Sequence, residues 1–185
     1  MAISEKETAD WSVFTVGGVD ENGYLQIKDV IRDRMDGLMI ADTLLALQKI
    51  YDPVAVGIEE GQISKSIGPF LNKAMIEQNT YLSLIPMKHS GKDKISRARS
   101  IQARMRAGGV KFDKSADWYQ MLEDECMTFP RAKHDDQVDS LSYMGLLIDK
   151  MIEAPTVEEE EEEEYQRELE DTGFYESGRN ETTGY

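Results

Sequence analysis

The sequence predicts an α/β fold with a mixed sheet flanked by helices. Residues 11–31 read as two β-rich runs joined through Asn22-Gly23, a hairpin signal. Val54-Ala55-Val56-Gly57-Ile58 is a continuous apolar run, as expected of a strand covered on both faces. From there to residue 152, apolar stripes at helical spacing alternate with short β-rich runs.

Taken in order, residues 11–19 and 24–31 are predicted strands, rich in β-branched and aromatic types. A helix over 37–51 turns Leu38, Leu44, Leu45, Leu47 and Ile50 inward and is stopped by Pro53. The strand at 54–58 ends abruptly in Glu59-Glu60. A helix over 64–79 follows, with Ile67, Phe70, Leu71, Ala74 and Met75 on one side, then a short strand at 81–86. Residues 93–107 read as helical, and Gly108-Gly109 leads into a brief strand, Val110-Lys111-Phe112. Ser115 is placed as the cap of a helix through about residue 127, with Trp118, Met121, Leu122 and Cys126 as its buried stripe. The last helix opens at His134-Asp135-Asp136-Gln137-Val138-Asp139 and ends near Ile152. Its inner face is Val138, Leu141, Gly145, Ile148 and Ile152.

The chain of 185 residues suits one domain, placed at 1–152, and a tail at 153–185. Seven consecutive glutamates, Glu158 to Glu164, followed by Gly, Ser, Thr and Asn, predict a disordered acidic tail. One cysteine, Cys126, excludes an internal disulfide and favours a reducing compartment. No apolar run reaches the roughly 20 residues of a membrane span, and residues 1–7 lack the apolar core of a signal peptide.

The formal net charge of −15 conceals a division. Residues 153–185 hold 13 acids and two bases, which accounts for −11 and leaves −4 for the rest. Within that remainder, residues 86–114 hold nine bases and two acids, a net of +7. A carboxylate site and a polyanionic partner are compatible with this pattern. The tail is also a candidate competitor for the basic stretch.

The carboxylates carry the chemistry. Crowding Asp135, Asp136 and Asp139 at the start of a half-buried helix is costly without compensation, and the helix dipole supplies only part of it. An ordinary N-cap at Asp135 or Asp136 is the simpler reading of a lone acidic pair. Glu59 and Glu60, however, close a buried strand at its C-terminal end, where open α/β sheets place ligands. Hard divalent cations, Mg2+ or Mn2+, suit carboxylate oxygens. Two of them, held about 4 Å apart, are what two-metal phosphodiester hydrolysis requires. Lys92, Lys94, Arg97 and Arg104 supply charge for a DNA backbone. Lys94, Arg97 and Arg104 keep to one helical face, and Ile95, Ala98 and Met105 to another. His89 and His134 are the only histidines, and His134 reads as an orienting hydrogen-bond partner for a carboxylate or water.

Four stretches resemble the nuclease domain of phage large terminase subunits, an RNase H-like fold. They are residues 2–11, Val56 to Glu60, residues 92–112 (from Lys92-Asp93-Lys94 to Gly109-Val110-Lys111-Phe112), and Phe129 to Ser142. Their order and spacing run together over about residues 1–150. The resemblance implies metal-dependent endonucleolytic cutting of concatemeric double-stranded viral DNA. It maps Glu59 onto the second metal-binding acid and Asp135 or Asp136 onto the third, with Asp139 as a helper. The implied cofactors are Mg2+ or Mn2+. The implied partners are double-stranded DNA, the terminase ATPase domain or an upstream segment, the small terminase subunit and the portal, in the cytoplasm of an infected or lysogenic bacterial host.

Two departures shape the expectation. The family's first metal-binding aspartate ends a central strand just before the stretch that here begins at Ala2, and Met1 stands at that position. Asp10 is a distant substitute. No phosphate-cradling G-x-x-x-x-G-K-[ST] loop occurs. The expectation is a nuclease domain whose central strand lies outside this sequence, an interrupted sheet, and weak cutting by this chain alone. The rivals are a non-catalytic DNA-binding or assembly module that keeps the fold, and a resolvase-type nuclease.

Overall fold

The computed structural model describes residues 11–62, 67–88, 94–131, 134–153 and 165. Expectations for Asp10, His89, Lys92 and, apart from Tyr165, the tail beyond Glu153 lie outside the described residues. The first compact unit ends at Asp149, within the last helix.

Strands β1 (Ser12–Val19) and β2 (Leu25–Asp33) form the predicted antiparallel hairpin. Its turn is built by Asp20, whose carboxylate accepts from the amides of Asn22 and Tyr24 at 3.0 and 2.9 Å. Gly23 sits at φ +80°, a conformation that costs glycine nothing. Helix α1 (Gly37–Tyr51) is N-capped by Asp36, which accepts from the Met39 amide. Strand β3 (Val56–Glu59) runs directly into a single turn, α2 (Glu60–Gln62). Then come α3 (Gly68–Glu77), β4 (Leu84–Met87), α4 (Lys94–Arg106), β5 (Val110–Phe112), α5 (Tyr119–Thr128) and α6 (Asp136–Glu153).

Among the described residues the strands form two sheets. One has the order β1-β2-β5, with β5 parallel to β2, and the other is the parallel pair β3-β4. Among the described residues β1 pairs with β2 alone.

Side-chain alternation shows how the layers stack. Val13 packs with Leu25, Ile27, Val30, Ile101, Val110, Leu122, Leu141 and Ile148, so α4, α5 and α6 cover one face. Phe14, Val56 and Ile58 pack instead with Ala41, Leu44, Ile67 and Leu71 of the α1 and α3 side. α6 reaches both sheets. Ser140 shares a 2.8 Å hydrogen bond with Thr15 of β1, and Leu147 lies against Gly57 of β3. Because Val56 and Ile58 face α1 and α3, the alternate residues Gly57 and Glu59 face α6.

Several sequence expectations are corrected. Leu38 and Ile50 are exposed. Leu38 stands in the first turn beyond the core, and Ile50 lies nine residues past Ala41, half a turn around the helix. Phe70 and Ile152 are likewise exposed. Ser115 caps no helix, because Asp113 takes both its amide and its hydroxyl in a local turn and the helix starts at Tyr119. Met121 is exposed and its sulfur accepts from Arg32, while the buried stripe runs through Leu122 and Glu125. Among the described residues no helix is long and apolar enough to cross a membrane.

Cys126 is half-buried beside Glu125 and Glu123. Burial first, then those two charges, push its thiol up to about 11. Alkylation by iodoacetamide at pH 8 is therefore expected to run roughly a hundredfold slower than for a free cysteine near 8.5, followed by mass spectrometry.

Candidate metal centre

The acidic motif at the start of α6 meets the basic face of α4. The Asp135 carbonyl accepts from the Asp139 amide at 2.8 Å, so the two carboxylates lie one turn apart on one flank. Both enclose the same atom. Lys94 Nζ lies 2.6 Å from Asp135 Oδ1 and 3.2 Å from Asp139 Oδ2. Arg97, 4% exposed, binds Asp139 Oδ1 at 3.0 Å and lies 5.7 Å from the centre of the Tyr143 ring.

The hydrogen bond to Asp135 holds the Lys94 ammonium above the usual lysine range, with Asp139 adding to the effect and burial opposing it. A raised cation contributes its stability below the ordinary lysine value and loses it only as the pH climbs through the raised one. The contact therefore persists throughout the neutral range. Deprotonation is not what would release the carboxylates.

Tyr143, one turn beyond Asp139, joins the strand side of the centre to the helix side. Burial raises its phenol first, and the negative charges of Glu59 and Asp139 add to that, partly offset by Arg97. Glu59 is thus within electrostatic reach of the Tyr143 phenol. Glu60 is exposed at the start of α2.

The remaining predicted residues are placed differently. Asp136 faces His134, 4.0 Å away and well exposed, on the outer side of the motif. Arg104 and Ser100 both bind Asp149, at 2.9 and 2.5 Å, and tie α4 to α6. Arg97 was expected to face phosphates, yet its guanidinium is buried against Asp139, because α4 turns that side toward α6 and not toward solvent. Lys94 is half exposed.

Asp135 and Asp139 offer hard oxygen donors of the kind that suit Mg2+ or Mn2+, and here both carboxylates pair with the Lys94 ammonium. Among the described residues no three potential ligands converge closely enough for a complete set.

Tyr143 and Glu125 escaped the sequence reading. Tyr143 could have been found from its spacing of four after Asp139. Glu125 carried no local signal, since its partners begin 12 residues later.

A mixed sheet β1-β2-β5, a parallel pair β3-β4 and helices packed against both are consistent with an RNase H-like fold. The chain belongs to the terminase RNase H-like domain family, whose model matches residues 2–146. No curated protein matches it.

Proposed function

We propose that this domain is the endonuclease of a DNA-packaging terminase, hydrolysing phosphodiester bonds of concatemeric double-stranded DNA with Mg2+ or Mn2+. The observation that carries the proposal is the convergence of Asp135 and Asp139 on one cationic atom, with Glu59 facing the same helix from β3. When bound, two such metals supply an activated water and stabilise the departing oxygen. Glu59, Asp135 and Asp139 hold them, Asp136 contributes from the rim, and His134 orients a carboxylate or water.

Arg97 fixes Asp139 from the buried side. Lys94 is both a counter-charge for the carboxylates and, being half exposed, a contact for a DNA phosphate. Lys92 is a further candidate phosphate contact from the basic segment, whereas Arg104, expected to be another, is engaged by Asp149. The same reading makes the ATPase domain, the small terminase subunit and the portal its working partners.

One observation favours a second reading. Lys94 and Arg97 already neutralise the acidic pair, so the fold needs no metal to be stable there. This is what a non-catalytic DNA-binding module would show.

Titrating the purified protein with Mn2+, followed by electron paramagnetic resonance, and incubating it with plasmid DNA separates the two. The nuclease reading expects Mn2+ binding, metal-dependent nicking, and loss of both in Asp135→Asn and Asp139→Asn. Salt-sensitive DNA binding without Mn2+ binding would establish the module instead.

A further inference from the structure

The N-terminus of α6 is capped from outside its own chain segment. Asp135 holds the N-cap position, since α6 starts at Asp136 and the Asp135 carbonyl accepts the first helical hydrogen bond. An N-cap side chain ordinarily accepts from the second and third helical amides, here Gln137 and Val138. Both donate instead to Glu125 Oε1 on α5, at 2.6 and 3.1 Å. Glu125 Oε2 accepts from the Gln137 side-chain amide at 2.8 Å. Glu125 is 7% exposed and Gln137 1%, so these groups have no water to fall back on.

We propose that Glu125 is a positioning residue, which takes over the capping of α6 so that Asp135 is free to join Asp139 around a cation. The proposal rests on the metal-centre reading for its consequence, though not for its geometry. Capping turns an aspartate back over the open amides of the first turn. Meeting Asp139 requires it to lie along the helix flank. One carboxylate serves one of these directions well.

With Glu125 in place the amides are satisfied, and Asp135 Oδ1 is spent on Lys94 at 2.6 Å. Without Glu125, two buried N–H groups lose their acceptor, and the nearest replacement is the side chain of Asp135 itself.

The test compares Glu125→Ala, Glu125→Asp and Glu125→Gln with the unaltered chain. Glutamine keeps an acceptor oxygen of the same reach, and Gln137 can rotate its own amide to match. Alanine has no acceptor, and aspartate is one methylene too short. The first readout needs no metal: 15N resonances of the Lys94 ammonium and of the Gln137 and Val138 amides. Loss of the Asp135 partner is expected to speed Lys94 proton exchange in the alanine and aspartate variants and to leave it unchanged in the glutamine variant.

The second readout is Mn2+ affinity, expected to fall about tenfold or more in the first two variants, as for other residues that orient a ligand, and less than threefold in Glu125→Gln. A Lys94 signal unchanged in a folded Glu125→Ala would overturn the proposal. If that variant does not fold, the same result in Glu125→Asp would overturn it. Absence of Mn2+ binding in the unaltered chain would count against the nuclease reading while the Lys94 readout still decides the role of Glu125.

Discussion

Replacing Asp139 by alanine is expected to lower the unfolding free energy by roughly 3 kcal/mol, the scale of breaking one partner from a buried ion pair. The cost comes from the loss of this carboxylate from a buried guanidinium. Arg97 is 4% exposed, and a guanidinium cannot shed its charge to escape burial. Lys94 suffers less, being half exposed and still paired with Asp135. The check is a double-mutant cycle by urea denaturation. Methionine at position 97 matches the volume of the buried stem without its charge, so Asp139→Ala with Arg97→Met should recover most of the loss. Simple addition of the two single losses would mean that Arg97 and Asp139 are not a coupled pair. Loss of Mn2+ binding should accompany Asp139→Ala with or without Arg97→Met, since neither variant restores the carboxylate.

Leucine at Gly145 is expected to cost about 3 kcal/mol, the upper range of overpacking a filled core. A Cβ there would lie 3.0 Å from the Ile101 backbone nitrogen and 3.1 Å from its Cβ, so α4 cannot yield by moving a side-chain tip. The helices must separate, and Lys94 and Arg97 are carried away from Asp135 and Asp139. Alanine should be milder, because about 1 kcal/mol of helix propensity gained over glycine offsets part of the clash. Thermal melts ranked unaltered, Gly145→Ala, Gly145→Leu, with faster Lys94 ammonium exchange in the last than in the unaltered chain, would confirm that this contact sets the spacing of the centre. A Gly145→Leu variant as stable as the parent would refute the close packing of α4 on α6.

These effects depend on contacts between residues far apart in sequence, which is also where the sequence reading stopped. The acidic start of α6 and the paired glutamates after β3 were legible because each is local: a run of like charges beside an apolar stripe is conspicuous in one dimension. The basic face of α4 was legible as a face, but its destination was not. Helical periodicity says that Lys94 and Arg97 share a side, and is silent on whether that side meets solvent or another helix. The structure turns it onto carboxylates 41 and 42 residues away.

The sequence by itself determined the element order, the hairpin and the family, since these follow from periodicity, turn chemistry and motif spacing. Local charge offered Glu59 and Asp135 or Asp136 as candidate acids. Only the tertiary structure decided that Asp135 and Asp139 share one cation, that Glu59 points to α6 through strand alternation, and that Glu125 caps a helix it does not belong to. Each of those is a pairing across the core. Its energy comes from burial and desolvation, which exist only once the chain has closed on itself.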